Sequence, residues 1–107
     1  MRTLMIVEPG AVPIPPDALL GVLEAFRAWR ERWRHKMESF EFFAGRGGGW
    51  GVFNTADETE LSQIEFEFPL APFSVIHVYP TVNGDDALAR LTETFKQMRA
   101  AMGGGTP

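Results

Sequence analysis

Apolar residues recur along the chain with two different periods, and the period changes where turn residues intervene. Residues 3–8 carry Leu4, Ile6 and Val7 and are ended by Pro9-Gly10, which predicts a short strand. The Pro-rich stretch Pro13-Ile14-Pro15-Pro16 then leads into Asp17, an acid suited to the positive end of a helix. Leu19, Val22, Phe26, Trp29, Trp33 and Met37 follow at intervals of three or four. That stripe predicts one helix of about 23 residues, roughly 34 Å long. Its last turns hold Arg27, Arg30, Arg32, Arg34 and Lys36, positive charge at the negative end of the dipole.

Residues 40–44 and 50–54 are short and rich in aromatics, and Gly45-Arg46-Gly47-Gly48-Gly49 lies between them, so the pair predicts a hairpin. Residues 57–64 predict a short acidic helix, stopped by Phe66-Glu67-Phe68-Pro69. β-Branched and aromatic content predicts a fourth strand over 73–82. Asn83-Gly84-Asp85 caps a final helix with the stripe Leu88, Leu91, Phe95, Met98, Met102. The order is that of the split βαβ unit, a ferredoxin-like βαββαβ fold of the α+β class with an added C-terminal helix. Its antiparallel sheet has helices on one face. Covering the other face with a second copy gives a dimeric α/β barrel, so a homodimer or larger homo-oligomer is expected. Residues 1–102 are read as one domain and 103–107 as a flexible tail.

Composition narrows the function. Of 107 residues 45% are hydrophobic, enough for one core. A net charge of −4 disfavours nucleic acid or an anionic membrane as partner. Cysteine is absent, which removes disulfides, thiolate nucleophiles and thiolate metal sites. No apolar run approaches the roughly 18–20 residues of a membrane span, and MRTLMIVEPG is broken too early to serve as a signal peptide. A cytoplasmic protein is expected. With two histidines in all, a metal site has little to draw on, and none is expected.

Residues 45–78 read GRGGGWGVFNTADETELSQIEFEFPLAPFSVIHV. The Gly45-Arg46 pair, Trp50, Val52-Phe53 at a strand end, Leu61 in the short helix, and the Pro69-Leu70-x-Pro72-Phe73 turn before Ile76 and Val78 occur together. In that spacing the segment resembles the second half of the muconolactone isomerase family, without a gap. Residues 56–91 also resemble a related group of small barrel proteins, with Thr81-Val82 and Asp86-Ala87 in place of that group's Pro-Val and Glu-Ala turns. The Pro-rich insert and the Trp/Arg density of the long helix are this chain's own. The resemblance implies the barrel fold, transfer of a proton between carbons next to a lactone carbonyl, and no cofactor. Shared fold is not shared function.

His77 lies mid-strand with Phe73, Val75 and Tyr79 on its face by the period of two, and Ser74, Ile76 and Val78 opposite. A neutral imidazole among aromatics accepts a proton near about pH 7; a core or interface histidine is the alternative. The family has an acid where His77 stands, so no role is carried over to it. The Tyr79 hydroxyl suits a carbonyl or enolate, or equally an interface. Glu8 ends the first strand, either facing ligand or merely solvated. If that strand runs antiparallel to the fourth, Glu8 lies nearer Phe73 than His77, and the two need not act together. Arg46 stands where the family has a basic or imidazole side chain, and a guanidinium there can grip a substrate carboxylate. The glycines after it are no phosphate loop, since a strand follows and not a helix.

Trp33, Trp50 and Phe73 suit the walls of a cavity for a flat aromatic or polyketide-like molecule. His35 and Glu38 are spaced to pair on the long helix, and the acids of 57–67 to complement its basic end across a subunit contact. The leading reading is a cofactor-independent isomerase or cyclase acting on a small lactone or carbonyl-containing ring, with His77, Glu8 and Tyr79 as catalytic candidates. A cofactor-free monooxygenase and a non-catalytic ligand-binding or assembly module are the alternatives. A closed cavity with at least one ionisable group inside marks an isomerase, whereas an assembly module is filled solid.

Overall fold

Alternation along the first strand, β1 (Arg2–Pro9), sorts its side chains onto two faces. Thr3, Met5 and Val7 turn toward the core, and Arg2, Leu4, Ile6 and Glu8 turn the other way. The computed structural model describes residues 1–103, so residues 104–107 of the expected tail lie outside the described residues, while Gly103 still belongs to the last helix.

The prolines delay the first helix. They carry a 3₁₀ turn at Pro16–Ala18, and α1 (Leu19–Trp33) begins two residues beyond Asp17. α1 also ends earlier than its apolar stripe. A second 3₁₀ turn at Arg34–Lys36 redirects the chain, and Met37 opens β2 (Met37–Phe42). Met37 fits the helical spacing from Trp33, but it also fits the inward face of a strand, where it pairs with Phe53. The alternation Ser39-Phe40-Glu41-Phe42 that follows favours the strand. His35 and Glu38 therefore share no helix: His35 stacks beside Trp33, and Glu38 binds Arg2 at 2.7 Å.

β2 turns back into β3 (Gly49–Asn54) through the glycine-rich hairpin. Helix α2 (Glu58–Phe66) is capped by Asp57, whose Oδ1 accepts the Glu60 amide at 2.9 Å, while Glu60 Oε1 accepts the Ala56 amide at 3.1 Å. A 3₁₀ turn at Ala71–Phe73 leads into β4 (Ser74–Thr81), so Phe73 precedes the strand instead of opening it. Asn83 Oδ1 accepts the Asp86 amide at 3.0 Å and starts α3 (Gly84–Gly103).

The strands form one antiparallel sheet in the order β2-β3-β1-β4, the βαββαβ arrangement expected of a ferredoxin-like α+β fold. Met5 and Phe53 from the sheet meet Trp29 and Trp33 of α1, Ile64 of α2 and Phe68 after it in one core. The basic end of α1 finds its acids within the same chain: Arg32 pairs with Glu67 at 3.1 Å and Lys36 with Glu60 at 2.9 Å. Glu60 and Glu67 are thus engaged inside the fold. No helix among the described residues is long and apolar enough to cross a membrane.

Candidate functional site

The core does not fill the space beneath α1. A cavity of about 390 Å³ remains between the sheet and the helix, walled by Phe26, Trp29, Phe40, Phe42, Phe53 and Phe68. Phe26 organises this wall, its ring centroid 5.6–5.9 Å from those of Trp29, Phe40, Phe42 and Phe68. β3 presents Gly49 and Gly51 to this side, so part of the floor is bare backbone. Pro9, Gly10, Val12, Pro13 and Ile14 border the cavity, so the Pro-rich insert peculiar to this chain shapes its rim. The Trp29 indole N–H is already bound to the Ile64 carbonyl; Glu8, Glu41, Trp50 and Ser74 are the other residues with polar side-chain atoms that border the cavity.

Glu8 joins this cavity to the opposite face of the sheet. β1 and β4 are antiparallel, with Glu8 opposite Val75 and Ile6 opposite His77. On one face of such a pair the diagonal neighbour is within reach of a long side chain. Glu8 and His77 do meet, with Oε2 of Glu8 3.8 Å from Nε2 of His77. The expectation that Glu8 lies nearer Phe73 than His77 is corrected by this register, which sets it opposite Val75. On its other side Oε1 of Glu8 accepts a hydrogen bond from Nη2 of Arg46 at 3.1 Å. Arg46 is held at the hairpin tip over the Phe43 ring, 5.0 Å from its centroid. All three side chains are about half exposed, with relative exposures of 55% for Arg46, 40% for Glu8 and 43% for His77.

Tyr79 continues the row, its ring parallel to His77 at 6.5 Å, and Trp50 shares their face through its pairing with Ile6. Trp50 and Phe73 both border the cavity. Trp33 does not: it is buried toward the far end of α1, against His35 and Arg32. Glu8, Trp50 and Phe73 therefore border the cavity, and Arg46 joins them through its bond to Glu8. His77 and Tyr79 stand on the helix-free face behind Glu8, and Trp33 stands apart. Sequence reading passed over Phe26 and Phe40 as wall residues and chose Trp33 over Trp29. Trp29 and Phe26 lie on the same stripe as Trp33, and the stripe alone does not say which of its turns faces a void. Among the described residues no group of three or more His, Cys, Asp or Glu side chains is placed to hold a metal ion.

No protein-family model matches the chain, and no curated protein sequence does. Solved structures do. Muconolactone isomerase is similar with a TM-score of 0.62 at 17% identity, over 78% of this chain and 90% of that one. The 5-chloro-2-hydroxyhydroquinone dehydrochlorinase of Burkholderia phenoliruptrix, in complex with 2,5-dihydroxybenzoquinone, is similar with a TM-score of 0.59 at 16% identity, over 80% of this chain and 98% of that one. The chain has the ferredoxin-like α+β fold that these two enzymes share.

Proposed function

We propose that this protein is a cofactor-independent isomerase or cyclase that moves a proton on a small, carbonyl-containing ring compound. The observation that carries this reading is the placement of Glu8. Glu8 borders the aromatic-walled cavity, and its carboxylate lies between a guanidinium at 3.1 Å and an imidazole at 3.8 Å. A flat ring enters the cavity on apolar contacts, and its carbonyl edge stays at the polar mouth. Glu8 takes a proton from the carbon next to the carbonyl, leaving an enolate and a neutral carboxyl group. Return of that proton to another carbon completes the isomerisation with no oxidant or reductant consumed. Arg46 pairs with the developing oxyanion or with a substrate carboxylate. His77, 3.8 Å from Glu8, offers a second resting place for the proton. The dehydrochlorinase of the same fold binds a small oxygenated ring, which supports a ligand of this size.

The test begins with binding, since Trp29 and Trp50 border the cavity and Trp33 does not. A panel of lactones, quinones and aromatic ketones should quench their emission, and Trp29→Phe or Trp50→Phe should remove part of that response. For a ligand that is turned over, Glu8→Gln should lower kcat by about 10²–10⁴-fold while binding persists. Turnover by Glu8→Gln equal to the parent's would refute the proton-transfer role. Binding without turnover of any panel member would favour the second reading, a non-catalytic ligand-binding module. The apolar lining of the cavity, in which Glu8 and Glu41 are the titratable residues, supports that reading.

A further inference from the structure

α3 has no buried residue. The molecule measures 76 Å along its longest axis and 27 and 23 Å across it. Yet the helix carries a full apolar seam. Leu88 is 64% exposed, Leu91 52%, Phe95 60%, Met98 52% and Met102 84%. Their spacing of three, four, three and four is the a/d pattern of a helix that packs against one other helix. An isolated helix of this length gains little in water without a packed face, so the seam calls for an occupant.

The charge pattern along α3 identifies it. Asp85 and Asp86 lie in the first turn, Arg90 and Glu93 near the middle, and Lys96 and Arg99 in the second half. Two copies side by side in parallel set acid against acid. Turned antiparallel, they set acid against base. The register of an antiparallel pair follows from the seam alone, since each a residue must face a d residue. Leu88 then meets the partner's Met98, Leu91 meets the partner's Phe95, and Gly84 makes room for the partner's Met102. In that same register, which no charge was used to choose, Asp85 falls beside the partner's Arg99 along one edge. Thr92 meets the partner's Thr92 on that edge. Ala87 meets the partner's Ala101 on the other, where the small side chains let the backbones approach. We infer that α3 is a self-recognition element, pairing antiparallel with α3 of a second copy through the seam Leu88, Leu91, Phe95, Met98 and Met102. The contact is isologous, closes on a two-fold axis, and uses none of the residues around Glu8.

The chain's lack of cysteine makes a direct test clean. Thr92→Cys and Ala89→Cys, each in the full-length protein at micromolar concentration, are treated with a short bis-maleimide. Thr92→Cys should give covalent dimer in high yield, and Ala89→Cys, on the outer side of the helix, little. Mixing Asp85→Cys with Arg99→Cys should give mainly the mixed dimer. Asp85→Arg should weaken self-association about tenfold, and adding Arg99→Asp should restore it. All four positions are exposed, so circular dichroism should show the fold unchanged. Equal yields from Thr92→Cys and Ala89→Cys would overturn the pairing. Asp85→Cys linking to itself as readily as to Arg99→Cys would overturn the orientation. Loss of the Thr92→Cys dimer on Leu20→Glu would show instead that the seam docks on the outer face of α1, where Leu20 and Leu23 are exposed.

Discussion

Nε1 of Trp29 donates a hydrogen bond to the carbonyl of Ile64 at 3.0 Å, tying α1 to the last turn of α2. The last carbonyls of a helix lack partners within it. At this end the Glu67 amide turns to Gln63 and the Phe68 amide to Glu65, so the backbone passes over Ile64. The buried indole supplies the missing donor while its ring walls the cavity. Trp29→Phe keeps an aromatic in place and leaves that carbonyl unpaired, so it should cost about 1–3 kcal/mol in denaturant unfolding. A variant as stable as the parent would show that water replaces the indole there.

The hairpin that presents Arg46 depends on a glycine for a steric reason. Gly48 has φ of +92°, and a Cβ on it would lie 2.3 Å from the Val7 carbonyl oxygen of β1. Gly45, with φ of +73°, has open space around it. Gly48→Ala should therefore destabilise by more than about 2 kcal/mol, because β1 cannot retreat without breaking the sheet. It should also weaken any ligand response that needs Arg46 beside Glu8. Gly45→Asn should stay within about 1 kcal/mol of the parent, since asparagine tolerates the left-handed region. Thermal melts of the two variants check the contrast.

Acid should loosen the start of α2 in a defined direction. The Lys36 ammonium and the Ala56 amide hold the Glu60 carboxyl below its ordinary value of 4.5. A carboxylate with a depressed folded value stabilises the fold above its unfolded value, and that stability is lost as pH falls through the folded value. Glu60→Gln should therefore melt earlier than the parent near about pH 7 and match it near about pH 2. Glu65 has the opposite sign, because burial raises its carboxyl. Glu65→Gln should melt slightly later than the parent at neutral pH, and the gain should vanish in acid. Melting curves across the acid range separate the two.

The helix-free face of the sheet exposes Val75 and Tyr79 beside Leu4 and Ile6. Leaving such apolar surface in water costs about 25 cal/mol per Å². A second copy covering this face should make the protein at least dimeric, and Tyr79→Asp should lower its mass in light scattering. A parent that is monomeric at micromolar concentration would rule this out. Retention of the Thr92→Cys cross-link in Tyr79→Asp would show that the sheet face and α3 associate independently.

Local chemistry sufficed for the elements whose signals do not depend on distant partners. β1 ends at Pro9, α2 starts at Asp57 with Glu60 answering it, and α3 starts at Asn83, all within a residue or two of where turn and capping residues place them. The order of the elements, and with it the ferredoxin-like fold, followed from those signals. The end of α1 did not, because Met37 satisfies a helical period from Trp33 and a strand period toward Phe53, and only the β2–β3 pairing selects between them. The site divides the same way. Glu8, His77 and Arg46 were visible as residues able to move or hold charge. Their meeting was not, since it requires the antiparallel register that sets Glu8 opposite Val75 and the hairpin that returns Arg46 to β1. Nor could the stripe of α1 tell that Trp29 borders a void while Trp33 packs against His35 and Arg32. Periodicity and capping are properties of neighbours along the chain. Register, the choice of face and the location of empty space depend on how distant segments pack, and were settled only when the sheet formed.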